Sequence, residues 1–142
     1  MDGPALPAQV KKTRPRLLLL EDNLLDVELL QNWLEDDGLY LEIFNAGNKD
    51  QYEAAILEGN WDLIVSDRGL PNYDGLFALR FASRICPGVP FLFFSGAAAE
   101  GESAESYLGS GASAYILKAE PKRLLTAIRR VLADRESTKE KQ

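Results

Sequence analysis

Glu21, Asp22, Asp67, Ser95 and Lys118 are the side chains of this sequence best suited to chemistry on a phosphate or a hard metal ion. Each follows a short apolar run. Leu17-Leu18-Leu19-Leu20 leads into Glu21-Asp22, Leu63-Ile64-Val65-Ser66 into Asp67, Phe91-Leu92-Phe93-Phe94 into Ser95, and Tyr115-Ile116-Leu117 into Lys118. Carboxylates gathered with one hydroxyl and one amine can hold a hard cation and neutralise a transferred phosphoryl group. Each residue alone has an ordinary explanation as well. An acidic pair favours the start of the helix that follows, and an aspartate before Gly69 and Pro71 is turn chemistry. Ser95 suits a helix cap, Tyr115 suits strand packing, and Lys118 suits a solvated strand end. Their combination is less ordinary. Two like charges 4 Å apart at an effective dielectric near 20 repel by roughly 4 kcal/mol. Carboxylates crowded on one edge therefore call for a cation or for the Lys118 ammonium.

The elements that would position them follow from periodicity. Buried apolar runs of this length, separated by helix-like segments, read as strands of a parallel sheet. We expect strands near 16–21, 40–45, 62–66, 90–95 and 113–117, and helices near 24–37, 49–58, 75–86, 100–110 and 121–134. Leu25, Leu29, Leu30, Trp33 and Leu34 form an apolar stripe, with Gly38 just past its end. Leu124, Leu125, Ile128, Val131 and Leu132 form another, with Pro121 in the opening turn. Parallel neighbours need right-handed helical crossovers, so the expected class is an open α/β sheet. In such a sheet the carboxyl ends share one edge, which brings the four strand ends together.

The chain has 142 residues, enough for one domain with a sheet between helical layers. Residues 1–15, with Pro4, Pro7 and Pro15, read as a flexible leader, 16–134 as the folded domain, and 135–142 as a polar tail that frays. No apolar stretch approaches the roughly 20 residues of a membrane span, so no membrane insertion is expected. Cys86 is the sole cysteine, which excludes an internal disulfide and a multi-thiolate metal site. Histidine is absent, which removes histidine-dependent triads and any phosphohistidine on this chain. A metal would be held by oxygen, with Mg²⁺ the first candidate. Net charge is −6; residues 1–16 carry four basic side chains and one acid, leaving 12 basic against 21 acidic side chains and a net of −9 in the body. An acidic body argues against direct nucleic-acid binding.

Glu21-Asp22-Asn23, Asp67 with Leu70-Pro71-x-x-Asp74-Gly75, Ser95-Gly96, and Gly111-Ala112-x-x-Tyr115-x-x-Lys118 together resemble the receiver domain of two-component response regulators, of stand-alone or hybrid-kinase type. The resemblance covers about residues 16–134. It implies a flavodoxin-like, doubly wound, five-stranded parallel sheet of order 2-1-3-4-5 with helices on both faces. It implies signal relay in a cytoplasmic phosphorelay. Asp67 would accept a phosphoryl group from a phosphohistidine on a histidine kinase or histidine phosphotransfer protein. Mg²⁺ would be held by Asp22, the Asp67 carboxylate and the Gly69 backbone carbonyl, with Glu21 reaching it through water. Lys118 would pair with the carboxylate and then the phosphate, and Ser95 would donate its hydroxyl. Tyr115 would be an aromatic switch whose ring turns inward when Ser95 moves. Such a protein catalyses its own phosphorylation and dephosphorylation and is not a conventional turnover enzyme.

Some residues depart from the family pattern. Ala119 follows Lys118 where the family usually has proline, often after a cis bond. A cis bond before a non-proline residue costs roughly 2.5–4 kcal/mol, so a trans loop of different shape is expected. Leu24 and Leu25 follow the acidic pair; one is expected in the core and the other exposed, as part of a docking surface for the phosphodonor. Arg68 has three readings: shielding the site, attracting phosphate, or facing solvent. Gly96-Ala97-Ala98-Ala99 would leave room above the pocket. Glu100, Glu102 and Glu105 load the fourth helix with acid, and Lys122, Arg123, Arg129 and Arg130 load the fifth with base. These are expected to be solvated faces, with pairing of two copies through helix 4, strand 5 and helix 5 as the functional alternative. Two rivals stand beside the relay reading. One is a receiver fold used only as a protein-binding module, with vestigial phosphorylation. The other is an aspartate-nucleophile phosphatase, whose usual second aspartate is replaced here by Gly69.

Overall fold

The computed structural model describes residues 14–96 and 104–140. Five strands form one sheet: β1 (Arg16–Leu20), β2 (Glu42–Ala46), β3 (Leu63–Ser66), β4 (Phe91–Ser95) and β5 (Ala114–Leu117). All pairs are parallel and the order is β2-β1-β3-β4-β5, the order expected from the resemblance. Between them run α1 (Leu24–Asp36), α2 (Lys49–Glu58), α3 (Gly75–Ile85) and α4 (Ala104–Gly109), and α5 (Pro121–Glu140) follows β5. A two-residue antiparallel pair, Gly69–Leu70 with Tyr73–Asp74, bridges β3 to α3.

The strands are apolar without a break because both faces of the sheet are covered. Successive strand side chains point to opposite faces, so residue parity decides which layer each one joins. Leu18, Leu20, Ile64, Phe91 and Phe93 pack with Tyr52, Ala55 and Ile56 of α2, Ala78 and Leu79 of α3, and Tyr107 of α4. Leu17, Leu19, Leu63, Val65, Leu92, Phe94 and Ile116 pack on the other side with Leu30 and Leu34 of α1 and Leu124 and Ile128 of α5. Gly75 opens α3 where a side chain has no room: a Cβ there would lie 2.7 Å from the Phe93 ring and 2.8 Å from the Arg68 carbonyl oxygen.

Four expectations need correction. The buried stripe of α1 is Val27, Leu30 and Leu34, whereas Leu25 and Leu29 are exposed. Leu24 and Leu25 are both exposed, at 70% and 62%, because the first turn of α1 rises beyond the sheet edge. The last helix runs to Glu140 instead of fraying near 135. Arg135 explains part of this: its guanidinium donates to the Gly88 carbonyl at 2.8 Å and the Trp61 carbonyl at 3.2 Å, and sits 3.4 Å from the Asp62 carboxylate. At the other terminus, Arg14 lies over the Tyr40 ring and Glu42 N–H donates to the Pro15 carbonyl, so the last residues of the expected leader already pack. The expected leader up to residue 13, the small-residue segment after Gly96, and Glu100 and Glu102 lie outside the described residues. No described helix is long and apolar enough to cross a membrane.

Candidate functional site

The strand ladders continue one step past the strands and bring the polar residues into line. Glu21 N–H donates to the Ala46 carbonyl, Asp67 N–H to the Leu20 carbonyl, and Lys118 N–H to the Ser95 carbonyl. Asn45 Nδ2 donates to the Leu19 and Glu21 carbonyls, fixing the turn out of β1. Glu21, Asp67, Ser95 and Lys118 thus meet at the carboxyl edge of β1, β3, β4 and β5, as expected.

Their side chains form one connected set around Asp67. Asp67 Oδ1 accepts from Ser95 Oγ at 3.1 Å and from the Gly69 backbone N–H at 3.2 Å. Asp67 Oδ2 accepts from Lys118 Nζ at 3.1 Å. Lys118 also donates to Glu21 Oε1 at 2.8 Å and to Asp26 Oδ2 at 2.7 Å. Every ammonium proton therefore has a carboxylate. The Lys118–Ala119 bond is trans, there being no cis bond among the described residues. The trans loop nevertheless delivers the ammonium to Asp67.

Asp26 is a site residue that the sequence reading missed. It lies in the first turn of α1, away from any strand end, and its backbone N–H donates to Asn23 Oδ1 at 3.2 Å. Asn-x-x-Asp at a helix start is ordinary capping chemistry, which hides it. The signal available was its place four residues after Asp22, one turn up the same helix entry.

Burial and charge act in opposite directions here. Burial is the largest influence on Glu21 and pushes its carboxyl above the ordinary glutamate value, while the Lys118 hydrogen bond pulls it partly back. Burial alone would lower the Lys118 ammonium, but the hydrogen bonds to Asp26, Glu21 and Asp67 outweigh it and hold the lysine above its ordinary value. Lys118 is therefore charged, and three carboxylates against one ammonium leave a surplus of negative charge.

Asp22 is exposed beside this cluster. Among the described residues no group of three or more histidine, cysteine, aspartate or glutamate side chains encloses a metal-sized point. The donors present are nonetheless all hard oxygens on a site with surplus negative charge, which fits Mg²⁺ by chemistry. The Gly69 N–H is engaged by Asp67, and Gly69 lies opposite Asp74 in the short antiparallel pair.

Tyr115 is buried, its ring centroid 5.6 Å from Phe93 and 4.9 Å from Tyr107. Arg68 is half-buried next to Asp67. Burial would lower its guanidinium, but the neighbouring Tyr107 and Tyr115 outweigh it and hold it above the ordinary arginine value. Of the basic side chains on α5, Arg129 pairs with Asp37 and Arg123 with Glu120.

A family model described as the response regulator receiver domain matches residues 17–129. Solved structures are similar along nearly their whole length. A CheY-like response regulator receiver domain protein from Methanospirillum hungatei is 28% identical with a TM-score of 0.77, covering 89% of this chain and 99% of that one. The receiver domain of a putative LuxO repressor protein from Vibrio parahaemolyticus has a TM-score of 0.81 at 21% identity, over 92% of this chain and 98% of that one. The response regulator TrrA from Thermotoga maritima, solved in complex with Mg²⁺-BeF, has a TM-score of 0.71 at 22% identity, over 83% of this chain and 99% of that one. No curated protein matches the sequence.

Proposed function

This chain belongs to the response regulator receiver domain family, and from that premise we propose that it relays a signal by accepting a phosphoryl group on Asp67. The observation that carries the reading is the environment of the Asp67 carboxylate. Ser95 and Gly69 hold one oxygen and Lys118 the other. Phosphoryl transfer asks a protein mainly to position the acceptor and neutralise charge, and these groups do both.

In the transfer, an Asp67 oxygen attacks the phosphorus, the P–O bond forms, and the P–N bond to a partner's phosphohistidine breaks with its electron pair returning to the imidazole. The donor must be another chain or domain, since histidine is absent here. A histidine kinase or histidine phosphotransfer protein fits that role, and Leu24 and Leu25, exposed beside Asp22, offer it an apolar landing. Lys118 and Ser95 then turn to the new phosphoryl oxygens. Attack by water on phosphorus later breaks the P–O bond, releasing phosphate and restoring Asp67. Asp22, Asp67 and the Gly69 carbonyl would hold Mg²⁺, with Glu21 acting through water. When bound, Mg²⁺ supplies charge neutralisation for both phosphoryl steps. The Thermotoga maritima neighbour, solved with Mg²⁺-BeF, supports Mg²⁺ as the ion.

The added charge of about −1.5 to −2 is large enough to redraw Ser95 and Lys118 and change the α4–β5–α5 surface through Tyr115. Pairing of two copies through that surface is one output; altered contact with a kinase is another. The binding-module alternative is disfavoured by Lys118, because a lysine held by three carboxylates is not a decayed feature. Mass spectrometry after acetyl phosphate and Mg²⁺ treatment tests the reading. We expect one phosphoryl adduct on the wild type and none on Asp67→Asn. Absence from the wild type, or persistence in the variant, would overturn it.

A further inference from the structure

The hydrogen bonds around Lys118 close into a ring. Glu21 Oε2 accepts from Asn23 N–H at 3.1 Å, Asn23 Oδ1 accepts from Asp26 N–H at 3.2 Å, Asp26 Oδ2 accepts from Lys118 at 2.7 Å, and Lys118 donates back to Glu21 Oε1 at 2.8 Å. Two of these links are backbone amides at the start of α1, so the Asp26 carboxylate is held by the helix itself. A lysine side chain has a flexible four-carbon stem, and the residue after Lys118 is alanine, without the restricted φ of a proline. The ammonium's place is therefore set by the groups it binds.

Those groups differ in what else they must do. On the reading above, Glu21 is drawn to the water shell of a metal and Asp67 becomes an acyl phosphate. Asp26 alone has no second duty. We propose that Asp26 is a positioning residue for Lys118, holding the ammonium at the mouth of the site while its other two carboxylate partners are taken up by metal and phosphoryl group. Asp26 does not touch the reacting atoms; it acts by keeping the lysine within reach of them. An exposed ion pair would contribute little. This one shares its ammonium with the buried Glu21, and the Asp26 side chain is only 31% exposed, so solvent screening is reduced.

The consequence for rate rests on the phosphoryl-acceptor reading, but the positioning itself does not, and the experiment separates the two. A lysine ammonium fixed by hydrogen bonds exchanges slowly with water and gives a resolved nitrogen-15 signal, which the Lys118→Met variant identifies by its loss. In Asp26→Asn that signal should disappear, and in Asp26→Glu it should return in part. With acetyl phosphate and Mg²⁺, Asp26→Asn should be phosphorylated about tenfold more slowly. In the Lys118→Met background the same change should cost nothing further. A signal that survives Asp26→Asn overturns the proposal, as does an equal slowing with and without Lys118. If the wild type takes no phosphoryl group, the functional reading fails, and the ammonium signal still decides the positioning.

Discussion

At the amino edge of the sheet, Asp62 accepts from the Arg16 backbone N–H at 2.9 Å and lies 3.4 Å from the Arg135 guanidinium. The Arg16 guanidinium also donates to the Gly59 and Asn60 carbonyls and covers the Trp61 ring at 4.3 Å. At the carboxyl edge, Lys118 is, among the described residues, the one cation that answers Glu21, Asp26 and Asp67. One edge balances its cations, Arg16 with Glu42 and Arg135 with Asp62, and gives their remaining protons to loop carbonyls, which ties β1, the turn into β3, the turn into β4 and the long α5 together. The other has acid in excess, and burial raises one of those acids. The first arrangement suits a joint; the second holds repulsion that an arriving cation would relieve.

The difference can be broken from either side. Lys118→Met should destabilise the fold by about 3 kcal/mol, because it strands partly buried carboxylates without their counter-charge; urea denaturation at neutral pH measures it. Arg135→Met should cost less, about 2 kcal/mol, since it removes hydrogen bonds to carbonyls that water can partly replace. The same titration reads both, and a larger loss for Arg135 would reverse the contrast. Glu21→Gln should act with the opposite sign and stabilise the protein by about 1 kcal/mol at neutral pH. The sign follows from its raised carboxyl. A group with a raised folded value favours the fold below its unfolded value, and that favour is lost as pH rises through the folded one. The advantage of the glutamine variant should therefore grow with pH through that range and vanish in acid. Carboxyl NMR titration completes the set: Glu21 should protonate above ordinary glutamates, and higher still in Lys118→Met, because Lys118 lowers it.

The strand ends were legible because a sheet buried on both faces writes itself as unbroken apolar runs, and because parallel connections put every carboxyl end on one edge. Glu21, Asp67, Ser95 and Lys118 needed nothing more. Helix faces were harder to read. Leu25 and Leu29 are as apolar as Leu30 and Leu34, and only the tilt of α1 on the sheet decides which pair is covered. Asp26 escaped for a related reason: on a helix, chemistry is announced by direction, and direction comes from packing. Arg68 was visible as a charge but not as a neighbour of Tyr107 and Tyr115, which come near it only once α4 is laid beside β5. Arg135 looked like part of a polar tail because its carbonyl partners come from two distant turns.

The ring through Glu21, Asn23, Asp26 and Lys118 also makes the first turn of α1 a gauge. The amide protons of Asn23 and Asp26 are spent on groups belonging to the pocket, so whatever loosens Lys118 must alter their protection from solvent deuterium. Two backbone positions that carry no reactive atom could thus report, residue by residue and without any attached probe, whether the pocket is at rest or engaged.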